Sequence, residues 1–162
     1  MFVLKWLVIV FVALALLLVL AGQLGWLKGT PPADLGVHAG RLKAPSNTPN
    51  SVTSQAALYA DHPMRAYAEI APLALRGDGP ATIAKLKAIV EGIDGAVVVK
   101  VEPDYLYARF TTQLLKFVDD GEFWFDPAAQ VIQVRSASRI GRKDLGVNRA
   151  RIEAIRQQLA TR

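Results

Sequence analysis

The sequence predicts an α+β fold: an N-terminal transmembrane helix followed by a small antiparallel sheet with packed helices. Three observations predict it, namely an unbroken apolar run near the N-terminus, two amphipathic helical patterns, and four strand-like stretches between them. Strands that follow one another through short turns pair antiparallel, and such sheets commonly carry helices on one face. We therefore expect a transmembrane anchor at 1–27, a linker at 28–49 and a globular α+β domain at 50–162.

The N-terminal segment has the length and composition of a transmembrane helix. Every residue from Trp6 to Ala21 is apolar, and Lys5 and Lys28 bracket the run. A helix of about 20 residues spans a hydrocarbon core, and Trp6 and Trp26 lie where indoles favour the headgroup region. A cleaved signal peptide is the alternative, but its apolar region is shorter, which favours a retained signal anchor. Basic residues are nearly equal in number on the two sides of this helix, so the positive-inside rule does not predict its orientation in the membrane.

The linker and the start of the domain are recognised by residues that interrupt any helical or strand-like periodicity. Prolines and glycines recur through 28–49, which is typical of a stiff spacer. Residues 51–55 are polar and turn-like, and the apolar run from Ile70 to Leu75 predicts a short first strand.

A helix follows this strand. Asp78 precedes Gly79 and Pro80, and an acid before a proline at the first helical position is a typical N-cap. Gly92 and Gly95 end the helix. Apolar side chains then mark its inward face at helical spacing, at Ile83, Leu86, Val90 and Ile93.

Four strands and a last helix complete the domain. In the strand predicted over 105–112, Leu106, Ala108 and Phe110 alternate with polar or tyrosine residues, which predicts one buried face. The last helix is predicted over 149–159, with Asn148 as its N-cap. The strands are predicted over 96–101, 105–112, 117–126 and 131–135.

Composition excludes several chemistries. The chain has no cysteine, so it forms no disulfide, no zinc–thiolate site and no cysteine nucleophile. It contains no nucleophile elbow, no phosphate-binding P-loop and no paired-histidine zinc motif. We therefore predict no cofactor and no metal.

The positive charge is concentrated at the C-terminal end. Residues 131–162 contain 8 lysines and arginines against 2 acids, whereas residues 1–130 contain 11 against 12. Several of these cations approach the start of the last helix, where the positive pole of the helix dipole disfavours them and favours anions. The predicted anion-binding residues are Arg135, Arg139, Arg142, Asn148, Arg149 and Arg151.

The negative partner of these cations is either internal or external. The internal candidates, which we favour, are Asp119, Asp120, Glu122 and Asp144, because arginine pairs well with carboxylates. An external partner would be a phosphate, a lipid headgroup or an anionic envelope polymer. Nucleic acid is disfavoured, because the basic block is short and few aromatic residues interleave it.

Two function classes follow from these residues. The first is a non-catalytic binding or structural module, tethered to the membrane by its N-terminal helix, with an Arg/Asp-rich surface for an anionic ligand or an envelope partner. The alternative is a hydrolase-like enzyme that uses Asp119, Asp120 or His62. A lone histidine is more often structural, so we favour the binding module.

Three motifs, within 49–55, 117–126 and 135–151, occur in an order that closely resembles the family known as domain of unknown function 1499. The resemblance covers about residues 40–160 and implies a bacterial cell-envelope protein, with plastid-targeted plant relatives. It supplies no activity. Many members have cysteine where this chain has Ser51, which argues against thiol chemistry. On this resemblance we expect a single-pass protein of the bacterial inner membrane with a periplasmic domain.

Overall fold

The computed structural model describes residues 2–161 and confirms the α+β class. Four α-helices lie within this range, and a short 3₁₀ turn spans Ala56–Leu58. The helices are α1 (Phe2–Gln23), α2 (Arg65–Ala68), α3 (Gly79–Glu91) and α4 (Val147–Ala160). The strands are β1 (Ser51–Thr53), β2 (Leu73–Ala74), β3 (Ala96–Val101), β4 (Tyr105–Thr111), β5 (Val118–Asp126) and β6 (Val131–Ser138).

Helix α1 is long and apolar enough to cross a membrane. Its 22 residues correspond to about 33 Å of helix, close to the thickness of a hydrocarbon core. The last turn of α1 contacts the domain, where Gln23 Nε2 donates to the Leu114 carbonyl at 2.9 Å. A Cβ atom on Gly22 would lie 2.5 Å from the Leu115 carbonyl oxygen, so only glycine permits this close approach.

The sheet is antiparallel throughout and has the strand order β1-β6-β5-β4-β3, with β2 also paired to β6. The four predicted strands form a meander from β3 to β6, because each is joined to the next by a short turn. The hairpin predicted at residues 102–104 is confirmed by the mutual backbone hydrogen bonds of Glu102 and Tyr105.

Helices α3 and α4 pack on one face of the sheet, over a core that contains the predicted inward residues. Leu86, Leu106 and Ile152 are completely buried there. Asp78 caps α3 as predicted, with Oδ1 accepting from the Ala81 N–H at 2.7 Å, and Gly92 follows the last residue of the helix.

The strands differ from prediction at three places. Residues 51–53 form the buried strand β1 instead of a turn, because their backbone pairs with residues 135–137 of β6. Strand β6 continues to Ser138, because this residue pairs with Asp119 of β5. The first predicted strand is reduced to β2, because Pro72 has no N–H to pair.

Part of the expected linker packs on the other face of the sheet. Leu42 is 1% exposed and contacts Tyr105 and Trp124, which form a second, smaller apolar cluster. The Leu42 N–H donates to Gln55 Oε1 at 2.8 Å, and the Gly36 N–H donates to Glu122 Oε1 at 2.7 Å. Residues 36–44 thus cover the sheet face that carries no helix.

The predicted N-cap of α4 is wrong. Gly146 occupies that position, with φ of 84°, a left-handed conformation that glycine adopts without strain. Asn148 lies inside the first turn and is completely buried, because its side chain bonds to the sheet.

Candidate functional site

Successive residues of β5 place their carboxylates on opposite faces of the sheet. Asp119 points to the helical face, towards α4, whereas Asp120 and Glu122 point to the outer face, covered by residues 36–44. All three are at most 5% exposed. The predicted acidic residues therefore belong to two separate networks.

On the outer face, Asp120 forms a bidentate ion pair with Arg139. Its Oδ2 accepts from Arg139 Nε at 2.9 Å and its Oδ1 from Arg139 Nη2 at 2.8 Å. Tyr107 donates its hydroxyl to the same carboxylate at 2.7 Å. The hydrogen bonds that Arg139 donates to Asp120 raise the pKa of Arg139, and burial raises the pKa of Tyr107 to about 12. Arg139 is therefore a charged, internally neutralised group.

Glu122 and Arg135 form a looser buried pair beside it. Their nearest atoms, Glu122 Oε2 and Arg135 Nη1, are 3.7 Å apart, and neither has a hydrogen-bond partner within residues 2–161. Glu122 Oε1 instead accepts from the Tyr105 hydroxyl at 2.8 Å and from Gly36. Burial raises the pKa of Glu122 and lowers the pKa of Arg135, since both charges lose water.

On the helical face, Asp119 pairs with Arg151 of α4. Asp119 Oδ2 accepts from Arg151 Nη2 at 2.6 Å, and the guanidinium lies 4.5 Å from the centre of the Phe110 ring. Arg151 Nη1 also donates to Ser136 Oγ at 3.0 Å and to Asn148 Oδ1 at 2.7 Å. This guanidinium thus ties α4 to the sheet.

Asn148 connects this pair to the rest of the network. Its Oδ1 accepts from the Ser136 hydroxyl at 2.7 Å as well as from Arg151. The two hydrogens of its Nδ2 are shared among three acceptors: the Asn50 carbonyl at 3.1 Å, Ser138 Oγ at 3.0 Å and Asp144 Oδ2 at 2.9 Å. Its role in the structure is therefore a polar crosslink in the interior.

Asp144 supplies the negative charge at the start of α4. Its carboxylate accepts from the backbone N–H groups of Gly146 at 3.0 Å and Asn148 at 3.2 Å, and from the Tyr67 hydroxyl at 2.5 Å. Burial alone would raise the pKa of Asp144, but these hydrogen bonds hold it below the usual value. The helix end that the sequence predicts to bind an anion is thus occupied by an internal carboxylate.

Replacing Asp144 by asparagine is expected to cost about 0.3–1 kcal/mol at pH 7, because it removes a negative charge from the positive pole of the helix dipole. Because the folded-state pKa of Asp144 lies below its unfolded value, its contribution is present at neutral pH and is lost as pH falls through the acidic range. The difference in unfolding free energy between the wild-type chain and Asp144→Asn should therefore shrink from pH 7 to pH 3 in urea titrations. A difference that stays constant would contradict this assignment.

Three cations near α4 have no carboxylate partner within residues 2–161. Arg142 and Lys143 are exposed, and their side chains make no hydrogen bond or ion pair in the described chain. Arg149 donates to the Tyr67 carbonyl at 2.6 Å, which leaves its charge uncompensated. Of the six predicted anion-binding residues, only Arg142 and Arg149 thus carry charge that no carboxylate neutralises.

Two adjoining cavities lie between α4 and the turn joining β4 to β5. Their volumes are about 560 and 290 Å³, and Thr112 and Val147 line both. Lys143 lines the smaller cavity beside Leu145, which is 91% exposed in a left-handed conformation with φ of 53°. Sequence reasoning missed this feature, because its walls come from segments that are separated in the sequence and meet only in the folded domain.

The hydrolase candidates do not converge. His62 lies in the turn before α2, where Nδ1 accepts from the Met64 N–H at 3.2 Å. No hydrogen bond joins His62 to Asp119 or Asp120 in the part of the chain that the structure describes. The two aspartates face opposite sides of the sheet and are each held by an arginine.

The fold and the two hydrogen-bonded networks define an α+β domain with arginine–carboxylate pairs on both faces of its sheet. The domain is preceded by a helix long enough to cross a membrane. Residues 41–159 match the model of the family described as a protein of unknown function, DUF1499, and the chain belongs to that family. The predicted membership is thereby confirmed. No curated protein and no solved structure matches the chain.

Proposed function

We propose that this chain is a membrane-anchored, non-catalytic module that binds an anionic ligand through Arg142 and Lys143. Its setting would be the bacterial inner membrane, crossed once by α1, with the domain on the periplasmic side. The single observation that carries the binding proposal is that some cations are ion-paired inside the domain and others are exposed. Arg135, Arg139 and Arg151 face internal carboxylates. Arg142 and Lys143, in contrast, face solvent.

The position of these free cations supports a ligand at the membrane surface. A Cβ atom on Gly29, six residues after the last residue of α1, would lie 2.7 Å from Ile140 and 2.8 Å from Arg139. The segment carrying Arg142 and Lys143 therefore lies beside the chain that leaves α1. Basic side chains near a bilayer surface attract anionic headgroups by about 1 kcal/mol each.

A hydrolase has less support. Asp119 and Asp120 lie on opposite faces of the sheet, and both carboxylates are ion-paired. A catalytic acid or base must reach the substrate, so a buried, paired carboxylate is better suited to structure.

The binding proposal is tested by amide hydrogen exchange of residues 139–149 in the full-length chain in nanodiscs. We expect slower exchange when phosphatidylglycerol is added to phosphatidylcholine, and loss of this slowing in the double variant Arg142→Glu/Lys143→Glu. The matched control is Arg76→Glu/Arg109→Glu, which reverses two exposed cations elsewhere. Equal exchange of the wild-type chain in both lipid compositions would refute anion binding at this surface.

The side of the membrane is tested separately. Because the chain has no cysteine, a single Gln157→Cys substitution at an exposed position of α4 gives a unique label site. A membrane-impermeant maleimide should label it in intact spheroplasts. Labelling that appears only after lysis would place the domain in the cytoplasm.

A further inference from the structure

We propose that the two adjoining cavities form one groove, which binds a single anionic phospholipid from the bilayer that α1 crosses. This inference rests on the proposed function and names its ligand. In the groove, the anionic headgroup contacts Lys143 and Arg142, and one acyl chain lies along α4 towards Ala154.

The lining of the groove suits a hydrocarbon chain. Apolar side chains line two sides of the larger cavity, with Ile93 and Phe110 on one side and Val147, Ala150 and Ala154 of α4 on the other. Polar and charged side chains complete the lining, namely Asp94, Thr111, Thr112, Gln113, Arg151 and Gln158. Cavities of several hundred Å³ with mainly apolar walls are typical of small-molecule sites. Burial of methylene groups in such a groove is favourable because it removes them from water.

The charges suit a negative headgroup at one end. Lys143 lines the smaller cavity, and Arg142 precedes it in sequence, both without a carboxylate partner within residues 2–161. Asp119 and Asp144 also line this cavity, but Arg151 neutralises the first and the start of α4 offsets the second. The unpaired charge at the rim is therefore positive.

The groove opens next to the end of α1. Its wall at Thr112 begins the turn that contacts Gly22 and Gln23, the last two residues of the helix. Two apolar side chains beside it, Leu114 and Leu145, are 62% and 91% exposed. Exposed leucines at the mouth of an apolar groove suit contact with hydrocarbon, and the nearest apolar phase to a membrane-anchored domain is its own bilayer.

An amphiphile fits these observations better than other ligands. A soluble phosphate would use the cations but leave the apolar walls in water. A second copy of the chain would cover the walls but would bring its own cations to the same rim. A phospholipid of the same bilayer satisfies both features at high local concentration.

The test is native mass spectrometry of the full-length chain, extracted in mild detergent from liposomes of equal palmitoyl-oleoyl phosphatidylglycerol and phosphatidylcholine. We expect one phosphatidylglycerol retained per chain. Ala154→Trp, which fills the groove from an exposed helix position, should lower retention about tenfold, the effect of about two methylene groups left unburied. Gln157→Trp, on the same helix but outside the groove, should retain lipid normally.

Each of the other outcomes contradicts a specific part of the lipid proposal. Normal lipid retention in Ala154→Trp, with circular dichroism like that of the wild type, would overturn the groove, as would the same result for Ala150→Trp. If the slowed exchange of 139–149 in phosphatidylglycerol nanodiscs persists in that case, the proposed function still stands. A dimer that is present in the wild type and lost in Ala154→Trp would assign the groove to a second copy and overturn the lipid proposal.

Discussion

Asp120→Ala is expected to lower the free energy of unfolding by about 3–5 kcal/mol. Asp120 is 1% exposed, and its carboxylate accepts two hydrogen bonds from Arg139 and one from Tyr107. Removing the carboxylate leaves the guanidinium buried without its counter-charge, and such an uncompensated charge costs far more than the net value of the intact pair.

Urea unfolding of the full-length chain in micelles measures this effect, with far-UV circular dichroism and the fluorescence of buried Trp124 as probes. Glu91→Ala is the matched control, because it breaks an exposed ion pair with Lys87 on α3 and should cost about 0.3–0.5 kcal/mol. Equal losses for the two variants would show that the Asp120–Arg139 pair is solvated and contributes no more than a surface contact.

Asn148→Ala should be the second most damaging of these changes, with an expected loss of about 2–4 kcal/mol. The amide is completely buried, and its two N–H groups are shared among three acceptors on three different segments. Alanine leaves the buried Ser136 hydroxyl without its acceptor and Ser138 Oγ without this donor, and each buried group left unpaired costs about 1–3 kcal/mol.

The same urea titration compares Asn148→Ala with Asn47→Ala, which removes an exposed amide from the segment before β1. The control should change the unfolding free energy by less than about 0.5 kcal/mol. If Asn148→Ala behaves like the control, water replaces the amide and the polar crosslink contributes nothing to stability.

Local patterns were sufficient to predict most of the helices and strands. Helix α3 follows from the Asp78 cap and its apolar spacing, and the buried face of β4 follows from strict alternation at Leu106, Ala108 and Phe110. These signals lie within a few residues of one another, so no knowledge of the tertiary fold is needed to interpret them.

Features that depend on distant partners could not be predicted in this way. Residues 51–53 have the polar composition of a turn, yet they form β1 because β6 offers them a free edge. Asn148 is a good N-cap by composition, but its partner Asn50 is 98 residues away in the chain. Long-range hydrogen bonds of this kind override local preference and leave no periodic signal.

The candidate site was predicted in composition but not in geometry. The excess of arginines near α4 predicts negative partners; in the structure Asp119 and Asp120 each pair with an arginine, whereas Asp144 accepts from backbone N–H groups at the start of α4. Sequence alone could not separate Arg139 from Arg142, although one is buried and paired and the other exposed. Which guanidinium meets a carboxylate depends on strand register, which composition does not define.

The division between paired and free arginines is tested most directly by proton exchange at their Nε–H groups, measured by NMR on the full-length chain in micelles. The Arg139 Nε–H donates to a buried carboxylate and should exchange far more slowly than that of exposed Arg142. Similar rates for the two groups would contradict the placement of Arg139 in the interior and of Arg142 on the exposed surface that we propose to bind the ligand.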